Sequence, residues 1–282
     1  MQIEVKNVGY TYMEGTPMEK VAISDISFQV SQGEFVCIIG HTGSGKSTLI
    51  QHIDGLITPT VGDVIVDGLN TKEKKTILDI RKKVGLVFQY PEYQLFEETV
   101  AKDIAFGCKN LGYDEDKQIE SVKKAMDMVG LAYDEFGEVS PFDLSGGQKR
   151  RVAIAGVLAM EPQTVILDEP TSGLDPKSAR EMLNLIKNMN KTGITVIMVT
   201  HDMDDVYEYG DRAIVINNGK ILFDDTPKQV FTHVDELLKI GLDVPSGCRF
   251  ANELRKRGMD IPKGIMNVSE LIEAVKQVKG YE

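Results

Sequence analysis

A glycine-rich segment at residues 40–48 limits the possible folds more than any other feature of this sequence. It follows the continuously apolar residues 35–39, as expected for a strand buried on both faces, and precedes a helical pattern from Leu49. Glycine at positions 40, 43 and 45 would let the backbone adopt left-handed conformations and direct its N–H groups at phosphate oxygens. The sequence therefore predicts a phosphate-binding loop between a strand and a helix.

The polar side chains of this loop suit a nucleotide and a magnesium ion. Lys46 is expected to contact the β- and γ-phosphates as a point charge, and the Ser47 hydroxyl is expected to be a ligand of Mg²⁺. Thr48 would support the loop. The loop residues predicted to bind ATP are Gly40, His41, Thr42, Gly43, Ser44, Gly45, Lys46, Ser47 and Thr48.

Composition excludes several classes of protein. With 282 residues, of which 42% are hydrophobic and 27% charged, the chain can form a complete globular core. No apolar run approaches the roughly 18 residues of a spanning helix, and the N-terminus lacks a signal-peptide pattern, so we expect a cytosolic protein. The net charge of −11 argues against nucleic acid as a direct partner. Attachment to a membrane would therefore require another protein.

Buried strands recur along the chain in the manner of a mostly parallel sheet. After residues 35–39, continuous apolar runs occupy residues 84–88, 164–167 and 194–199. Near the N-terminus, by contrast, apolar and polar residues alternate around Phe28, which predicts an antiparallel β region. The sequence thus predicts an α/β fold whose core sheet is mostly parallel.

Helical patterns interrupt and extend this fold. Residues from about 92 to 160 predict an inserted helical subdomain, and helical spacing returns beyond Pro227. We therefore expect a nucleotide-binding domain at residues 1–225 and a small C-terminal helical extension at residues 226–282.

Candidate catalytic residues follow two of the buried strands. Asp168 and Glu169 come directly after residues 164–167, at the carboxyl end where open α/β sheets bind ligands. Asp168 is placed to hold Mg²⁺, directly or through water, and Glu169 is free to polarise an attacking water molecule. His201 follows the next predicted strand and shares that sheet edge, so we expect it to contact the γ-phosphate.

A second phosphate-facing helix start is predicted at Leu144-Ser145-Gly146-Gly147-Gln148. Ser145 is a natural N-cap, and Gly146 and Gly147 leave bare N–H groups at the positive end of the helix that follows. A plain capped turn is the alternative interpretation of this pentapeptide.

The order and approximate spacing of these motifs resemble those of the ATP-binding cassette (ABC) ATPases along residues 1–225. The motifs that carry the resemblance are residues 40–48, Gln89, residues 144–148, Asp168-Glu169, residues 172–175 and His201. The resemblance implies a P-loop ATPase fold that uses ATP and Mg²⁺ in a head-to-tail dimer. In such a dimer, residues 144–148 of one subunit cap the ATP bound to the other.

The resemblance also implies roles for individual residues. Tyr12 matches the position of the family's adenine-stacking aromatic, Gln89 that of the glutamine linking Mg²⁺ to the transmembrane partner, and Asp175 that of a residue communicating across the dimer. The predicted catalytic residues are then Lys46, Gln89, Glu169 and His201, and the predicted metal ligands are Ser47, Gln89 and Asp168.

A narrower resemblance is to the ATPases of energy-coupling factor (ECF) transporters, most of all to the second of their two paired ATPases. It rests on Gly40-His41-Thr42-Gly43, on residues 88–100 and 153–162, and on Gly241-Leu242-Asp243-Val244-Pro245. It implies a peripheral protein on the cytoplasmic face of the cell membrane, paired with a paralogous ATPase or, in isolation, with a second copy. A transmembrane coupling subunit and a small substrate-binding membrane protein would complete an importer of a vitamin or of cobalt or nickel ions.

Other ABC proteins fit less well. The segment between Gln89 and Leu144 is too short for the long coiled coil of a DNA-repair ATPase, and a translation-associated protein would normally carry two cassettes. The ATPase of an ordinary ABC importer, which works with an extracytoplasmic binding protein, is the alternative that stays open.

Leu95 and Phe96 are apolar residues in a polar segment shortly after Gln89. They form either a local core under the helical subdomain or an exposed groove that takes a helix from the membrane subunit. We favour the groove, because a shift of Gln89 with Mg·ATP would then move whatever is docked beside it.

Overall fold

A six-stranded sheet forms the centre of the computed structural model, which describes residues 2–279. Its strands are β3 (Phe35–Ile39), β6 (Val84–Val87), β7 (Thr164–Asp168), β8 (Thr195–Val199), β9 (Arg212–Asn217) and β10 (Lys220–Asp225), in the order β10-β9-β3-β8-β7-β6. From β9 to β6 all neighbours are parallel, whereas β10 pairs with β9 as an antiparallel hairpin. The predicted α/β fold with a mostly parallel core sheet is confirmed.

A second, antiparallel sheet packs with helices α1 (Lys46–Ile53) and α2 (Ile77–Lys83) on one face of the central sheet. Its strands are β1 (Ile3–Tyr12), β2 (Lys20–Val30), β4 (Val61–Val66) and β5 (Leu69–Asn70), in the order β2-β1-β4-β5. Strand β3 shows how the two layers meet, because Val36 and Ile38 face this layer while Cys37 and Ile39 join the core on the other face.

The inserted helical subdomain contributes to that other face. It consists of α3 (Val100–Asn110), α4 (Glu115–Met128), α5 (Tyr133–Phe136) and α6 (Gly146–Leu158), with short 3-10 helices at Pro91–Gln94 and Pro141–Asp143. Thr99 and Asp114 cap α3 and α4 by accepting hydrogen bonds from main-chain N–H groups. Ile104, Met126 and Ile154 place α3, α4 and α6 in one apolar core with the central sheet.

The C-terminal part of the chain is helical, as expected, and its first half enters the main core. The remaining helices are α7 (Pro176–Lys191), α8 (Met203–Tyr209), α9 (Pro227–Val230), α10 (Val234–Lys239), α11 (Ser246–Lys256) and α12 (Val268–Lys279). Phe231, Val244 and Cys248 are buried with the central sheet, whereas Ala251 and Leu271 belong to a separate small cluster. The domain boundary at residue 225 stays a prediction, and residue 1 and residues 280–282 lie outside the described residues.

Within residues 2–279, no helix combines the length and the apolar character needed to cross a bilayer.

Candidate ATP-binding and hydrolysis site

The phosphate-binding loop joins the carboxyl end of β3 to the amino end of α1. Gly45, the N-cap residue of α1, has a φ of 109°, and a Cβ at this position would lie 2.6 Å from the Ile23 side chain. Gly43 has a φ of 79°. Both conformations favour glycine, and the helix presents the positive end of its dipole to this loop.

Gly40 needs to be glycine for a different reason. The prediction that Gly40 adopts a left-handed conformation is wrong, because its φ angle is not positive. A Cβ at Gly40 would instead overlap the carbonyl oxygen of Ile216 and the Oγ atom of Ser44, so the loop requires glycine to pack against β9. Ser44 is completely buried, so its contact with ATP would be through the main chain.

The Lys46 side chain folds over the loop. Its Nζ atom donates hydrogen bonds to the carbonyl oxygens of Gly40 at 2.7 Å and His41 at 3.1 Å. Burial lowers the pKa of Lys46, and the nearby carboxylates of Glu169 and Asp168 oppose this shift. The ammonium and both carboxylates therefore belong to one partly buried site.

Tyr12, the predicted adenine-stacking residue, lies beside this loop at the end of β1. Its hydroxyl is 3.1 Å from Oγ1 of Thr48, and its ring packs edge-on against Tyr10 with centroids 4.9 Å apart. Nδ1 of His41 lies 2.8 Å from the carbonyl oxygen of Thr42. A cavity of about 160 Å³ is lined by Tyr12, Lys20, Ala22, Gly43, Gly45, Lys46, Ser47 and Thr48.

Two of the predicted metal ligands lie side by side. The Ser47 hydroxyl donates to Oδ2 of Asp168 at 3.3 Å, which joins the start of α1 to the end of β7. Burial raises the pKa of Asp168, and both Ser47 and Lys46 oppose this shift. A partly buried carboxylate beside a hydroxyl supplies the oxygen donors that Mg²⁺ prefers, so these residues fit the predicted ion.

Glu169 has an uncommon main-chain conformation directly after β7. Its φ is 52°, and its N–H donates to the carbonyl oxygen of Val199 at 2.9 Å, which fixes the residue against β8. Its Oε2 atom lies 2.6 Å from Nδ1 of the mostly exposed His201. Burial raises the pKa of Glu169, while His201 opposes this shift. A higher pKa makes the carboxylate a stronger proton acceptor, as a general base requires.

Parallel strands bring the predicted catalytic residues to one edge of the sheet. Lys46 follows β3, Gln89 follows β6, Glu169 follows β7 and His201 follows β8. Gln89 itself is exposed. Residues far apart in the sequence thus follow neighbouring strands at one edge of the sheet.

The predicted second helix start has the expected cap. Oγ of Ser145 accepts from the N–H of Gln148 at 3.4 Å, and Oε1 of Gln148 accepts from the N–H of Ser145 at 2.9 Å. Leu144 is buried and anchors the segment in the core. Apart from the neighbouring residues and the backbone of α6 itself, no heavy atom of the described part of the chain lies within 4 Å of a Cβ placed on Gly146 or Gly147. This chain's own packing therefore does not require these glycines.

Asp175 is the N-cap of α7. Its carboxylate accepts hydrogen bonds from the N–H groups of Lys177 at 3.0 Å and Ser178 at 3.1 Å, and from Oγ of Ser178 at 2.6 Å. These contacts account for an aspartate at this position, and its role across a dimer stays a prediction.

Comparison with known proteins decides the family. Residues 23–172, more than half of the chain, match the family described as ABC transporter. The chain belongs to this family. It is 54% identical to the energy-coupling factor transporter ATP-binding protein EcfA2 of Clostridium perfringens, over 99% of this chain and 98% of that protein. It is also 54% identical to EcfA2 of Caldanaerobacter subterraneus, over 98% and 96% of the two chains.

Solved structures of ABC proteins share the fold. CbiO1 from Clostridium perfringens, described as part of the ABC transporter complex CbiONQ, has a TM-score of 0.74 and 38% identity over 84% of this chain and 93% of that one. A dimeric ATP-binding cassette in a post-hydrolysis state, bound to ADP and Pi, has a TM-score of 0.70 and 32% identity over 80% and 98%. The predicted ABC ATPase of the ECF type is thereby confirmed.

In this ABC ATPase, one of the two residues predicted to form a docking groove is buried. Leu95 is 8% exposed and belongs to the main core, so the expectation that it lines an exposed groove is wrong. Phe96 is 57% exposed, and its ring packs edge-on against Phe106 with centroids 4.9 Å apart. Oδ2 of Asp103 accepts from the N–H groups of Phe96 and Glu97, both at 2.9 Å. Phe96 therefore stands outward on a fixed backbone.

Sequence reasoning missed Arg150, which is 1% exposed. Its guanidinium group forms a two-hydrogen-bond ion pair with Glu92 on the 3-10 helix at Pro91–Gln94. The one available signal was helical spacing, because Arg150, Ile154 and Leu158 are four residues apart and all buried on α6. No sequence pattern connected Arg150 to Glu92, which lies 58 residues earlier.

Proposed function

We propose that this chain drives solute uptake as one of two ATPases of an ECF importer, bound at the cytoplasmic face of the cell membrane. The observation that carries the proposal is the open start of α6, where a capped helix end carries the exposed Gly146 and the half-buried Gly147, and the chain's own packing requires glycine at neither position. Such a surface suits the phosphates of ATP held by a second ATPase. The names of the EcfA2 relatives and the description of CbiO1 as part of a transporter complex support the same conclusion.

ATP binding would use the loop between β3 and α1 together with Tyr12. The N–H groups at the start of α1 would bind phosphate oxygens, and the Tyr12 ring would stack on adenine. Lys46 would exchange its hydrogen bonds to the carbonyl oxygens of Gly40 and His41 for charge-assisted bonds to the β- and γ-phosphates.

Ser47, Asp168 and Gln89 would hold Mg²⁺. When bound, the ion supplies positive charge that neutralises the β- and γ-phosphate oxygens. Asp168 is partly buried and hydrogen-bonded by Ser47, so its carboxylate is already oriented towards the phosphate loop. Gln89 is exposed just after the end of β6, so its side chain can change position when the nucleotide binds.

Glu169 would act as the general base for the attacking water. As the water oxygen bonds to the γ-phosphorus, its proton passes to the Glu169 carboxylate, and the bond from the γ-phosphorus to the bridging oxygen breaks. His201 orients that carboxylate through Nδ1, which leaves Nε2 for the γ-phosphate. In the imidazolium form both ring nitrogens are donors, so the ring can bond the carboxylate and the phosphate together.

Two ATPase subunits would form two composite sites. Residues 144–148 of each subunit would close over the ATP held by the other, and Asp175 would carry information between the sites. We propose a paralogous ATPase as the working partner and a homodimer when this chain is isolated. This arrangement would make hydrolysis depend on both subunits.

Coupling to the membrane would pass through the segment after Gln89. The exposed ring of Phe96, on a backbone held by Asp103, offers an apolar contact for a helix of the transmembrane coupling subunit. A separate small membrane protein would bind a vitamin or a transition-metal ion. This chain, as an ATPase domain at residues 1–225 with an extension at 226–282, would carry no solute site and would bind no nucleic acid.

Purification of the full chain from membranes tests the proposal. We expect a paralogous ATPase, one coupling subunit and small solute-binding membrane proteins to co-purify, as identified by mass spectrometry. Recovery of two matching permeases together with an extracytoplasmic binding protein would instead assign the chain to an ordinary ABC importer and overturn the ECF proposal.

A further inference from the structure

The side chain of Arg150 connects two segments, one that follows Gln89 and one that follows Glu169. Nε and Nη2 donate to the two carboxylate oxygens of Glu92, at 3.1 and 2.8 Å. Nη1 donates to the carbonyl oxygens of Pro170 at 3.1 Å and Ser172 at 2.7 Å. A single buried guanidinium group therefore holds both the 3-10 helix after Gln89 and the loop after Glu169.

These contacts require arginine rather than any residue that merely fills the space. Burial of a charged pair is a weak way to stabilise a fold, and an apolar side chain would suit the face of α6 that carries Ile154 and Leu158. Only the planar guanidinium group can bond a carboxylate through two nitrogens and reach two carbonyl oxygens with a third. The geometry thus indicates a role in positioning the two loops.

The loop that Arg150 holds begins at the residue assigned as general base. Glu169 has a φ of 52°, and its carbonyl oxygen accepts from the N–H of Ser172 at 3.1 Å, so the turn from 169 to 172 is a single unit. The Tyr90 hydroxyl, one residue after Gln89, lies 3.2 Å from Oγ of Ser172. A movement of residues 90–92 would consequently change the position of this turn and of the Glu169 carboxylate.

We propose that Arg150 is a positioning residue for hydrolysis, which sets the orientation of Glu169 according to the position of the Glu92 segment. The proposal deepens the proposed function, on which it rests, because that segment leads to the surface assigned to the membrane subunit. The hydrogen bonds of the Arg150 side chain go to Glu92, Pro170 and Ser172, none of which is assigned to the phosphates, so loss of these bonds should affect turnover rather than ATP affinity.

Two variants of the full chain, assembled with its partner ATPase, test this role. Arg150→Lys keeps the positive charge but cannot make all four hydrogen bonds, and Glu92→Gln keeps the shape while weakening the pair. In both we expect kcat per bound nucleotide to fall by about tenfold to a hundredfold, with the KM for ATP within about twofold of the native value, as for a misplaced catalytic group.

Arg151→Lys is the matched control. Arg151 is the next residue of α6, and its guanidinium group donates to Glu181 at 3.0 Å and to the carbonyl oxygen of Val129 at 2.9 Å. Neither partner belongs to the 3-10 helix after Gln89 or to the loop after Glu169. Its kcat and KM should stay native.

Native turnover in Arg150→Lys or in Glu92→Gln would overturn the proposal. An equal loss in the Arg151→Lys control would overturn it as well, because general loosening of α6 would then explain the effect. Normalisation to bound nucleotide removes any unfolded fraction from the comparison. Turnover is measured without membrane subunits, so a failure of the proposed transport function, seen as the wrong co-purifying proteins, stays distinguishable from a failure of this inference.

Discussion

Nδ1 of His201 lies 2.6 Å from Oε2 of Glu169, across the ends of the neighbouring strands β8 and β7. Glu169→Gln should preserve this contact, because the amide oxygen accepts a hydrogen bond from the ring N–H, while the proton acceptor is lost. We expect ATP affinity and dimer formation to be retained and phosphate release to slow by about 10²–10⁴-fold, the usual contribution of a general base. A near-native rate of phosphate release would remove Glu169 from this role.

A bulky residue at Gly146 should act on the other subunit. Beyond the neighbouring residues and the α6 backbone, no heavy atom of the described part of this chain lies within 4 Å of a Cβ there. Because a carboxylate also suits the first turn of α6, Gly146→Glu should leave the melting temperature of the isolated chain unchanged. In a heterodimer, hydrolysis at the partner's loop should be lost while nucleotide stays bound to this chain's own loop. Gly146→Ala, the smaller replacement, should have an intermediate effect.

Site-resolved nucleotide trapping checks the Gly146 prediction. If only this chain's own loop were affected, the composite-site arrangement would be wrong.

Phe96→Asp should separate attachment to the membrane complex from folding. Because Phe96 is 57% exposed and its one aromatic contact described here is the edge-on pair with Phe106, the free energy of unfolding of the isolated chain should fall by only about 1 kcal/mol. Co-purification with membrane subunits and transport should be lost. Phe250→Asp on α11, where the ring is 53% exposed, is the matched control and should leave both intact. Native transport by Phe96→Asp would refute the docking assignment.

Asp205 on α8 should make stability depend on pH. Burial is the main cause that raises the pKa of Asp205 from 3.8 to about 7. The negative charges of Asp202, Glu208 and Asp204 raise this pKa further, whereas His201 lowers it. Since the folded-state pKa is raised, the protonated carboxyl stabilises the fold at low pH, and this stabilisation is lost as the pH rises through about 7.

Asp205→Asn, which cannot ionise, should therefore be more stable than the native chain at pH 8. We expect a gain of about 1–2 kcal/mol after allowance for solvent screening of this partly exposed group, and almost no difference at pH 4. Denaturant unfolding at both pH values measures this, and equal stability at pH 8 would contradict it.

Features that depend on neighbouring residues were predictable from the sequence. The phosphate loop and the Asp168-Glu169 pair at the end of β7 each combine a strand with the residues that directly follow it. Because parallel strands end at the same sheet edge, strand order along the chain was enough to expect Lys46 and His201 to lie near that pair.

Features that depend on packing between distant segments were not predictable. Leu95 and Phe96 are adjacent and equally apolar, yet only the former joins the core with α3 and α6. The reason for glycine at position 40 lies in the carbonyl oxygen of Ile216 on β9. Arg150 and Glu92 are separated by 58 residues, so their pairing emerges only from the folded chain.

The burial of Phe231 and Val244 in the main core sets a limit on chimaeras between related ATPases. A junction at residue 225 would place foreign side chains among residues of the central layer, where a single large-to-small mismatch removes about 2–5 kcal/mol of stability. A junction within α11, after Cys248, would replace the small cluster around Ala251 and Leu271. It would replace only Met266 among the described residues of the main core. The tail that can be exchanged between such proteins is therefore shorter than the tail that the sequence marks as helical.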